Sequence, residues 1–283
     1  MRADYHIHSS FSDDSVYEPE LIVKDAAAMG LDEICFTDHV DYGVKKDWDE
    51  PGKMLYRKGG FGEPEQMALA NVDYSTYYET ILKLKKEYSE KINIKLGLEF
   101  GMQLHTIEKY ERLFRQYPFD FIILSVHEID DKEFWNQDFQ KSHTRRECYE
   151  RYYEDMLYLV RHFHNYSVLG HMDLIKRYDL AGCYSFEKTK PLVREILKTV
   201  IADGKGIEIN TSSHRYGLKD SMPSGDILKL YRDLGGQIIT IGSDSHKPEH
   251  LGAYIDEAKE YLLTLGFKEY CTFEKMQPMF HKL

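Results

Sequence analysis

The sequence lacks the features of a membrane or secreted protein. It has no run of about 18 apolar residues, the length that a membrane-spanning helix needs. Its opening residues, MRADYHIHSS, lack the apolar core of a signal peptide. Its 4 cysteines lie far apart and form no Cys-x-x-Cys pair. Neither a disulfide framework nor a thiolate zinc site is therefore expected, and the predicted compartment is the cytoplasm.

Positive charge is also scarce. The chain has 37 Lys and Arg against 48 Asp and Glu, which gives a formal net charge of −11. This balance disfavours nucleic acid and anionic membranes as general partners. Hydrophobic residues make up 42% and charged residues 30% of the chain, which is ordinary globular usage and excludes a disordered chain.

Strand-like and helix-like segments alternate along the whole chain. Short β-branched or aromatic runs predict seven strands, at Ala3–His8, Glu33–Thr37, Ile94–Phe100, Phe119–Val126, Ser167–Gly170, Gly206–Asn210 and Ile238–Gly242. Helical patterns follow them at Pro19–Met29, Tyr74–Lys91, Thr106–Arg115, Thr144–His164, Glu187–Asp203, Ser224–Leu234 and Pro248–Leu265. This order predicts parallel strands with helical crossovers, in a closed barrel or an open doubly wound sheet. No change of composition marks a linker, so residues 1–283 are expected to form one α/β domain.

One predicted connection is unusually long. Residues 41–73 join the second strand to its helix with little periodicity and several glycines and prolines. A connection of this length in a compact domain is often functional. Two interpretations stay open, a lid over a site and a solvated insertion.

Histidine and carboxylate side chains follow nearly every predicted strand. They are His6, His8, Asp38, His39, Glu99, His127, His171, Asp173, Glu208, Asp244 and His246. The C-terminal ends of parallel barrel strands converge on one face, where barrel enzymes hold their sites. Imidazole and carboxylate are the usual ligands of Zn, Mn and Fe, and burying so many ionisable groups without compensation would be costly. The pattern predicts two or three divalent ions, with Glu99 able to bridge two of them, although Asp38 and Asp173 can equally serve as caps.

Six motifs, taken together, resemble those of the PHP (polymerase and histidinol phosphatase) superfamily. They are His6-Ile7-His8, Thr37-Asp38-His39, Gly97-Leu98-Glu99, Ser125-Val126-His127, Gly170-His171-Met172-Asp173 and Ser243-Asp244-Ser245-His246. The match covers nearly the whole chain, in order. The resemblance implies a distorted seven-stranded (β/α)7 barrel, similar to a TIM barrel, with a trinuclear metal site, and so favours the barrel over the open sheet.

The resemblance also implies the metal ligands. One ion would be bound by His6, His8, Glu99 and Asp244, a second by Glu99, His127 and His171, and a third by His39 and His246. Many relatives have another histidine six residues after the second histidine of the first motif, where this chain has Asp14. Asp14 is therefore predicted to complete the third set, with Asp13 as the alternative.

Within the superfamily, the chain is most similar to stand-alone histidinol-phosphatases, in segments 147–157, 170–178 and 208–223. This similarity implies a metal-dependent phosphatase of histidine biosynthesis that converts the small phosphomonoester L-histidinol phosphate and water to L-histidinol and phosphate. The ions would activate water and offset charge on the phosphoryl oxygens. Glu99, Asp244 and His246 are the predicted catalytic residues, with Asp244 a candidate for proton transfer.

Phosphate binding by an acidic chain requires local positive charge. The predicted substrate-binding residues, which follow the fifth and sixth strands, are Lys176, Arg177 and Arg215. The forked guanidinium of arginine suits the geometry of a phosphate group. Each could equally be a surface cation. The ammonium group of histidinol would require a carboxylate, but the nearest candidates, Glu128 and Asp130, are predicted to face solvent.

Other functions remain open at this point. A PHP phosphoesterase acting on nucleotides, phosphotyrosine or DNA ends would use the same ligands. An amidohydrolase-type barrel would also carry His-x-His on its first strand, but it usually requires a metal-bridging lysine. A non-catalytic structural or polymerase-associated module would be expected to have lost ligands, whereas this set is nearly complete.

Overall fold

The fold is a barrel of seven parallel strands, as predicted. The computed structural model describes residues 1–49, 53–58, 65–182 and 184–283. The strands are β1 (Ala3–Ile7), β2 (Glu33–Phe36), β3 (Asn93–Gly101), β4 (Phe121–Ser125), β5 (Val168–Leu169), β6 (Gly206–Asn210) and β7 (Ile239–Gly242). They pair in this order, with each strand parallel to the next. The sheet nearly closes where the His8 amide donates to the Ser245 carbonyl (2.8 Å) and the Ser245 amide donates to the His6 carbonyl (3.1 Å).

A helix follows each barrel strand. The helices are α1 (Pro19–Ala28), α2 (Tyr74–Glu87), α3 (Ile107–Phe114), α4 (Arg145–His162), α5 (Phe186–Ala202), α6 (Gly225–Asp233) and α7 (Ile255–Thr264). The longest, α4, begins with a capping box in which Thr144 and Glu147 satisfy each other's backbone amides. The predicted helix over 248–265 is shortened, because Pro248–His250 forms a separate 3-10 turn and Tyr254 adopts a left-handed conformation (φ 60°).

The core lies between the barrel and its helices. β4 is buried along its whole length and β3 at every residue except Asn93, as is usual for parallel strands covered by helices. Within the described residues, no helix is long and apolar enough to cross a membrane. The thiols of Cys35, Cys148 and Cys271 are free, as expected, and Cys183 lies outside the described residues.

A C-terminal hairpin, absent from the sequence-based prediction, covers the N-terminal end of the barrel. Its antiparallel strands are β8 (Glu269–Glu274) and β9 (Gln277–Lys282). Cys271 and Phe273 pack against Tyr5 and Phe121, and the Phe273 amide donates to the Tyr5 hydroxyl oxygen (2.7 Å). The hairpin therefore lies opposite the strand ends that carry the predicted ligands.

The long connection after β2 is partly structured. Just before residues 41–73, His39–Val40 form a short strand that pairs with β3 and sets His39 beside Glu99. Farther on, Tyr56–Lys58 and Gln66–Ala68 form an antiparallel pair. Residues 50–52 and 59–64 lie outside the described residues, so the choice between a lid and a solvated insertion stays open.

Candidate metal centre

Glu99 lies at the centre of the converging strand ends. Its Oε2 atom is 3.1 Å from His6 Nε2 and 3.1 Å from His39 Nδ1. Its Oε1 atom is 2.7 Å from His171 Nε2 and 3.2 Å from His127 Nε2. Each carboxylate oxygen therefore faces a different pair of imidazoles, which is the arrangement that a bridging ligand requires.

The structure also brings together the first predicted ligand set. The Asp244 Oδ1 atom lies 3.5 Å from His8 Nε2 and 3.8 Å from His6 Nε2. Ligand atoms of His6, His8 and Asp244 all lie within 4.8 Å of one another, close enough to share one ion. His6 and His8 face the same cavity because alternate residues of a strand point to the same side.

The third predicted set meets around Asp14. Its Oδ2 atom is 3.1 Å from His246 Nε2 and 3.5 Å from His39 Nε2. The neighbouring carboxylate, Asp13, instead lies 2.7 Å from Lys45 Nζ. Of the two alternatives left by the sequence, the geometry favours Asp14 as the ligand.

The residues present fit divalent metal ions. His8 Nε2 and His39 Nδ1 are buried and make no well-aligned hydrogen bond, although Glu99 Oε2 lies 3.1 Å from His39 Nδ1. Leaving such an atom unsatisfied costs about 1–3 kcal/mol. An ion among these nitrogens would remove that cost. All the donors are imidazole nitrogens or carboxylate oxygens, the set preferred by zinc, manganese and iron.

Two groups of the cluster, His8 and Glu99, have the protonation state that a metal ligand requires. Burial and the neighbouring His246 and His39 hold the pKa of His8 well below its usual value, so its ring is neutral. Burial opposes ionisation of Glu99, but the imidazoles of His6 and His127 hold its pKa well below the usual range. Neutral imidazole and ionised carboxylate are the forms that bind metal.

His6 behaves differently from His8. Burial disfavours its protonation, but the carboxylates of Glu208 and Glu99 raise its pKa well above the usual value. Binding of an ion to His6 must therefore release a proton.

Other side chains orient the ligands. His6 Nδ1 lies 2.5 Å from Glu208 Oε1, and His127 Nδ1 lies 2.8 Å from Asp41 Oδ1. Each contact leaves the Nε2 atom of the ring facing the cluster. Such carboxylate–imidazole pairs fix the tautomer and direction of metal-binding histidines. Sequence reasoning noted Glu208 at a strand end but missed Asp41, whose one signal is its position two residues after His39.

Asp38 does not join the ligand cluster. Its carboxylate accepts hydrogen bonds from the Ser9 amide (2.7 Å) and the Ser12 hydroxyl (2.7 Å). It therefore fixes the turn after β1. Its role is structural, which is the alternative to metal binding that the sequence left open for Asp38.

Asp244 has a backbone conformation that is rare for a residue other than glycine. Its φ of 56° lies in the left-handed region, which often marks functional sites. The Arg215 guanidinium donates to the carbonyl oxygens of Ser243 (2.6 Å) and Asp244 (2.7 Å). Arg215, a predicted substrate-binding residue, thus also holds the loop that presents Asp244.

The other two predicted cations differ in what they contact. Arg177 stacks on the Tyr216 ring at 3.9 Å and lies 3.7 Å from Asp244 Oδ2, while its buried Nε has no hydrogen-bond partner. Lys176 Nζ is 2.7 Å from Asp173 Oδ2 and 2.6 Å from the Ser221 carbonyl oxygen. Arg177 therefore has a donor to spare beside the cluster, whereas Lys176 is engaged within the fold.

The prediction that Glu128 faces solvent is wrong. The short strand Glu128–Ile129 turns back to pair with Lys132–Glu133, and the Glu128 side chain is buried with Oε1 unpartnered. Burial raises its pKa well above the usual value, and nearby Asp41 raises it further. Its carboxylate lies within 4.8 Å of ligand atoms of Asp41 and His127. Asp130 is exposed, as predicted.

The protein is a nearly closed parallel (β/α)7 barrel, and imidazoles and carboxylates cluster at the C-terminal ends of its strands. This combination defines a metal-dependent hydrolase. The sequence matches the PHP domain family over residues 4–212. The chain belongs to this family, which confirms the resemblance seen in its motifs.

Individual members of the family match nearly the whole chain. The histidinol-phosphatase of Lactococcus lactis is 33% identical over 282 residues, which cover 98% of this chain and 96% of the relative. The histidinol-phosphatase of Bacillus subtilis is 25% identical over 277 residues, covering 89% and 96%. The crystal structure of the Lactococcus lactis enzyme, complexed with zinc, L-histidinol and phosphate, superposes with a TM-score of 0.81 at 32% identity and covers 98% of both chains.

Proposed function

We propose that the chain is a histidinol-phosphatase, a metal-dependent phosphomonoesterase that converts L-histidinol phosphate and water to L-histidinol and phosphate. The observation that carries this conclusion is the near full-length similarity to the Lactococcus lactis enzyme, whose structure holds zinc and both reaction products. The ligand cluster of this chain supports the same chemistry. We further propose that residues 1–283 form one catalytic domain.

We infer that the site holds two or three divalent ions, with zinc as the first candidate and manganese or iron as alternatives. The proposed ligands are His6, His8, Asp14, His39, Glu99, His127, His171, Asp244 and His246. When bound, such ions activate a water molecule and offset charge on the phosphoryl oxygens. Glu99 orients both pairs of imidazoles around it.

The phosphate of the substrate is proposed to lie between the ligand cluster and Arg177. The unpartnered Nε of Arg177 offers a donor to a phosphoryl oxygen, and stacking on Tyr216 fixes the plane of the guanidinium. Burial raises the pKa of Asp244, but His6 and the other neighbouring cations hold it well below the usual range. Asp244 therefore stays ionised at neutral pH and can accept a proton rather than donate one.

Glu128 is the proposed partner of the substrate ammonium. It is buried beside His127 with Oε1 unpartnered. Burial and the nearby Asp41 raise its pKa, and the charges of His127 and Lys45 offset this only in part. An ammonium group at this position would favour ionisation and form a charge-assisted hydrogen bond. The same contact would distinguish histidinol phosphate from phosphomonoesters without an amine.

Glu128→Gln is expected to raise KM for histidinol phosphate roughly 10- to 100-fold, because a hydrogen bond to a charged group contributes about 1.5–3 kcal/mol. KM for p-nitrophenyl phosphate, which has no ammonium, should be unchanged. Steady-state phosphate release on both substrates measures the effect, and Asp130→Asn, which changes an exposed carboxylate nearby, is the control. An equal rise on both substrates, or no rise on either, would rule out the ammonium contact.

The proposed substrate is tested by a phosphate-release screen. Protein loaded with zinc or manganese is compared on L-histidinol phosphate, nucleoside monophosphates, phosphotyrosine and a DNA oligonucleotide with a terminal phosphate. We expect kcat/KM to be roughly 100-fold or more higher for histidinol phosphate, because a substrate that places no ammonium group beside Glu128 leaves that buried carboxyl group without its partner. Equal low rates on all four would remove the assignment of the substrate.

A further inference from the structure

A buried lysine in the long connection lies between two carboxylates next to the metal centre. Lys45 Nζ is 2.7 Å from Asp13 Oδ1 and 2.7 Å from Asp41 Oδ2, and only 11% of its side chain is exposed. Burial opposes its charge, but the two carboxylates raise its pKa well above the usual value, so it stays protonated. Lys45 therefore joins the segment after β1 to the segment after β2 by two ion pairs.

Each of the two carboxylates leads to a different part of the ligand cluster. On one side, Asp41 uses its other oxygen to hold His127 Nδ1 at 2.8 Å, which turns His127 Nε2 toward Glu99. On the other side, Asp13 precedes Asp14, whose carboxylate contacts His39 and His246. The path through Lys45 thus connects the two sets of proposed ligands that Glu99 also joins from the barrel interior.

We propose that Lys45 is a positioning residue that holds His127 and Asp14 in the geometry for metal binding and so sets the affinity of both sets for their ions. This inference rests on the proposed function, because it concerns the same metal centre. Without the cation, the carboxylates of Asp13 and Asp41 would be buried with reduced compensation and would repel each other. Asp41 would then be free to leave His127, and the turn that carries Asp14 would lose its anchor.

The proposal gives part of the long connection a definite role. Residues 41–45 would belong to the metal centre itself, whatever the rest of the connection does. A lysine that serves folding alone would affect the stability of the protein in the same way with and without ions. A positioning lysine would in addition change the affinity for ions in the folded protein.

The test compares Lys45→Met, Lys45→Arg and the control Lys46→Met in the full chain. Lys46 is the next residue and is exposed, so its substitution changes the charge of the connection without touching the cluster. Zinc affinity is measured by competition with a chromophoric chelator, and the thermal unfolding of each metal-free variant is recorded separately. We expect Lys45→Met to weaken zinc binding about 10- to 100-fold, the range found for lost outer-shell partners. Lys45→Arg should recover part of this loss, and Lys46→Met should bind as the unaltered protein does.

A second variant keeps the proposal testable if Lys45→Met does not fold. Asp13→Asn leaves the contact between Lys45 and Asp41 in place, and we expect it to weaken only the zinc equivalents held through Asp14. If Lys45→Met folds and binds zinc as tightly as the unaltered protein, the proposal is overturned. If Lys45→Met does not fold, unchanged zinc affinity in Asp13→Asn overturns it instead. The proposed function is tested separately, by measuring the release of phosphate from histidinol phosphate by the unaltered protein. Neither result with the variants would change that measurement.

Discussion

Asp244→Asn is expected to lower kcat for histidinol phosphate by more than about 100-fold. This loss exceeds the one expected when a residue that only orients a metal ligand is removed. The Asp244 carboxylate faces His6 and His8, and its depressed pKa keeps it charged. The amide has nearly the same shape but no charge, so it is a much poorer ligand. Asparagine also tolerates the left-handed backbone of this position, so the loss should come from the side chain alone.

This effect is measured by comparing phosphate release and thermal unfolding between Asp244→Asn and the unaltered protein. Asp138→Asn, which changes an exposed aspartate paired with Lys141, is the matched control and should retain full activity. His171→Ala, which removes an imidazole 2.7 Å from Glu99, should also abolish turnover and leave a folded protein. Full activity in Asp244→Asn or His171→Ala would refute the role assigned to that residue.

Removal of metal is expected to abolish phosphate release, and addition of zinc or manganese to restore it. Without ions, the buried nitrogens His8 Nε2 and His39 Nδ1 remain without a well-aligned hydrogen bond, and the site lacks the divalent charge that would lower the pKa of a bound water molecule. Because His6 carries a raised pKa without metal, protons compete with ions, and reloading should weaken as the pH falls.

The measurement is activity against bound metal, determined by elemental analysis after chelation and after reloading. Magnesium is a suitable comparison, because it prefers oxygen ligands and should restore less activity at equal concentration. Full turnover by protein shown to be free of metal would contradict the whole assignment of the site.

The order of strands and helices could be predicted because these elements have clear local signals, whereas the choice of a closed barrel over an open sheet came from the resemblance to the PHP superfamily. β1, β4 and β6 are short apolar runs between turn residues, and the structure places them within two residues of the predicted bounds. The proposed ligands could be predicted for a related reason. Parallel strands converge at their C-terminal ends, so residues far apart in sequence need only share that position to meet.

The rest depends on contacts that no local pattern encodes. The hairpin β8–β9 is not part of the alternating pattern of strands and helices. Its position is determined by packing against strands β1 and β4, which lie far from it in sequence. Glu128 directly follows His127 at the end of a strand, and only the reverse turn after Ile129 directs it inward. Lys45 resembles the exposed lysines around it in sequence, and its burial depends on Asp13, which is 32 residues away, as well as on Asp41, four residues earlier.

The hairpin has a consequence for how the chain folds. The hydrogen bond between Phe273 and Tyr5 joins residues 268 positions apart, so the barrel floor is completed by a contact of very high sequence separation. Closing so large a loop costs entropy before the contact contributes any stability. During synthesis, the first strand emerges long before its partner, and its apolar inner face must stay protected from other chains until the last residues arrive.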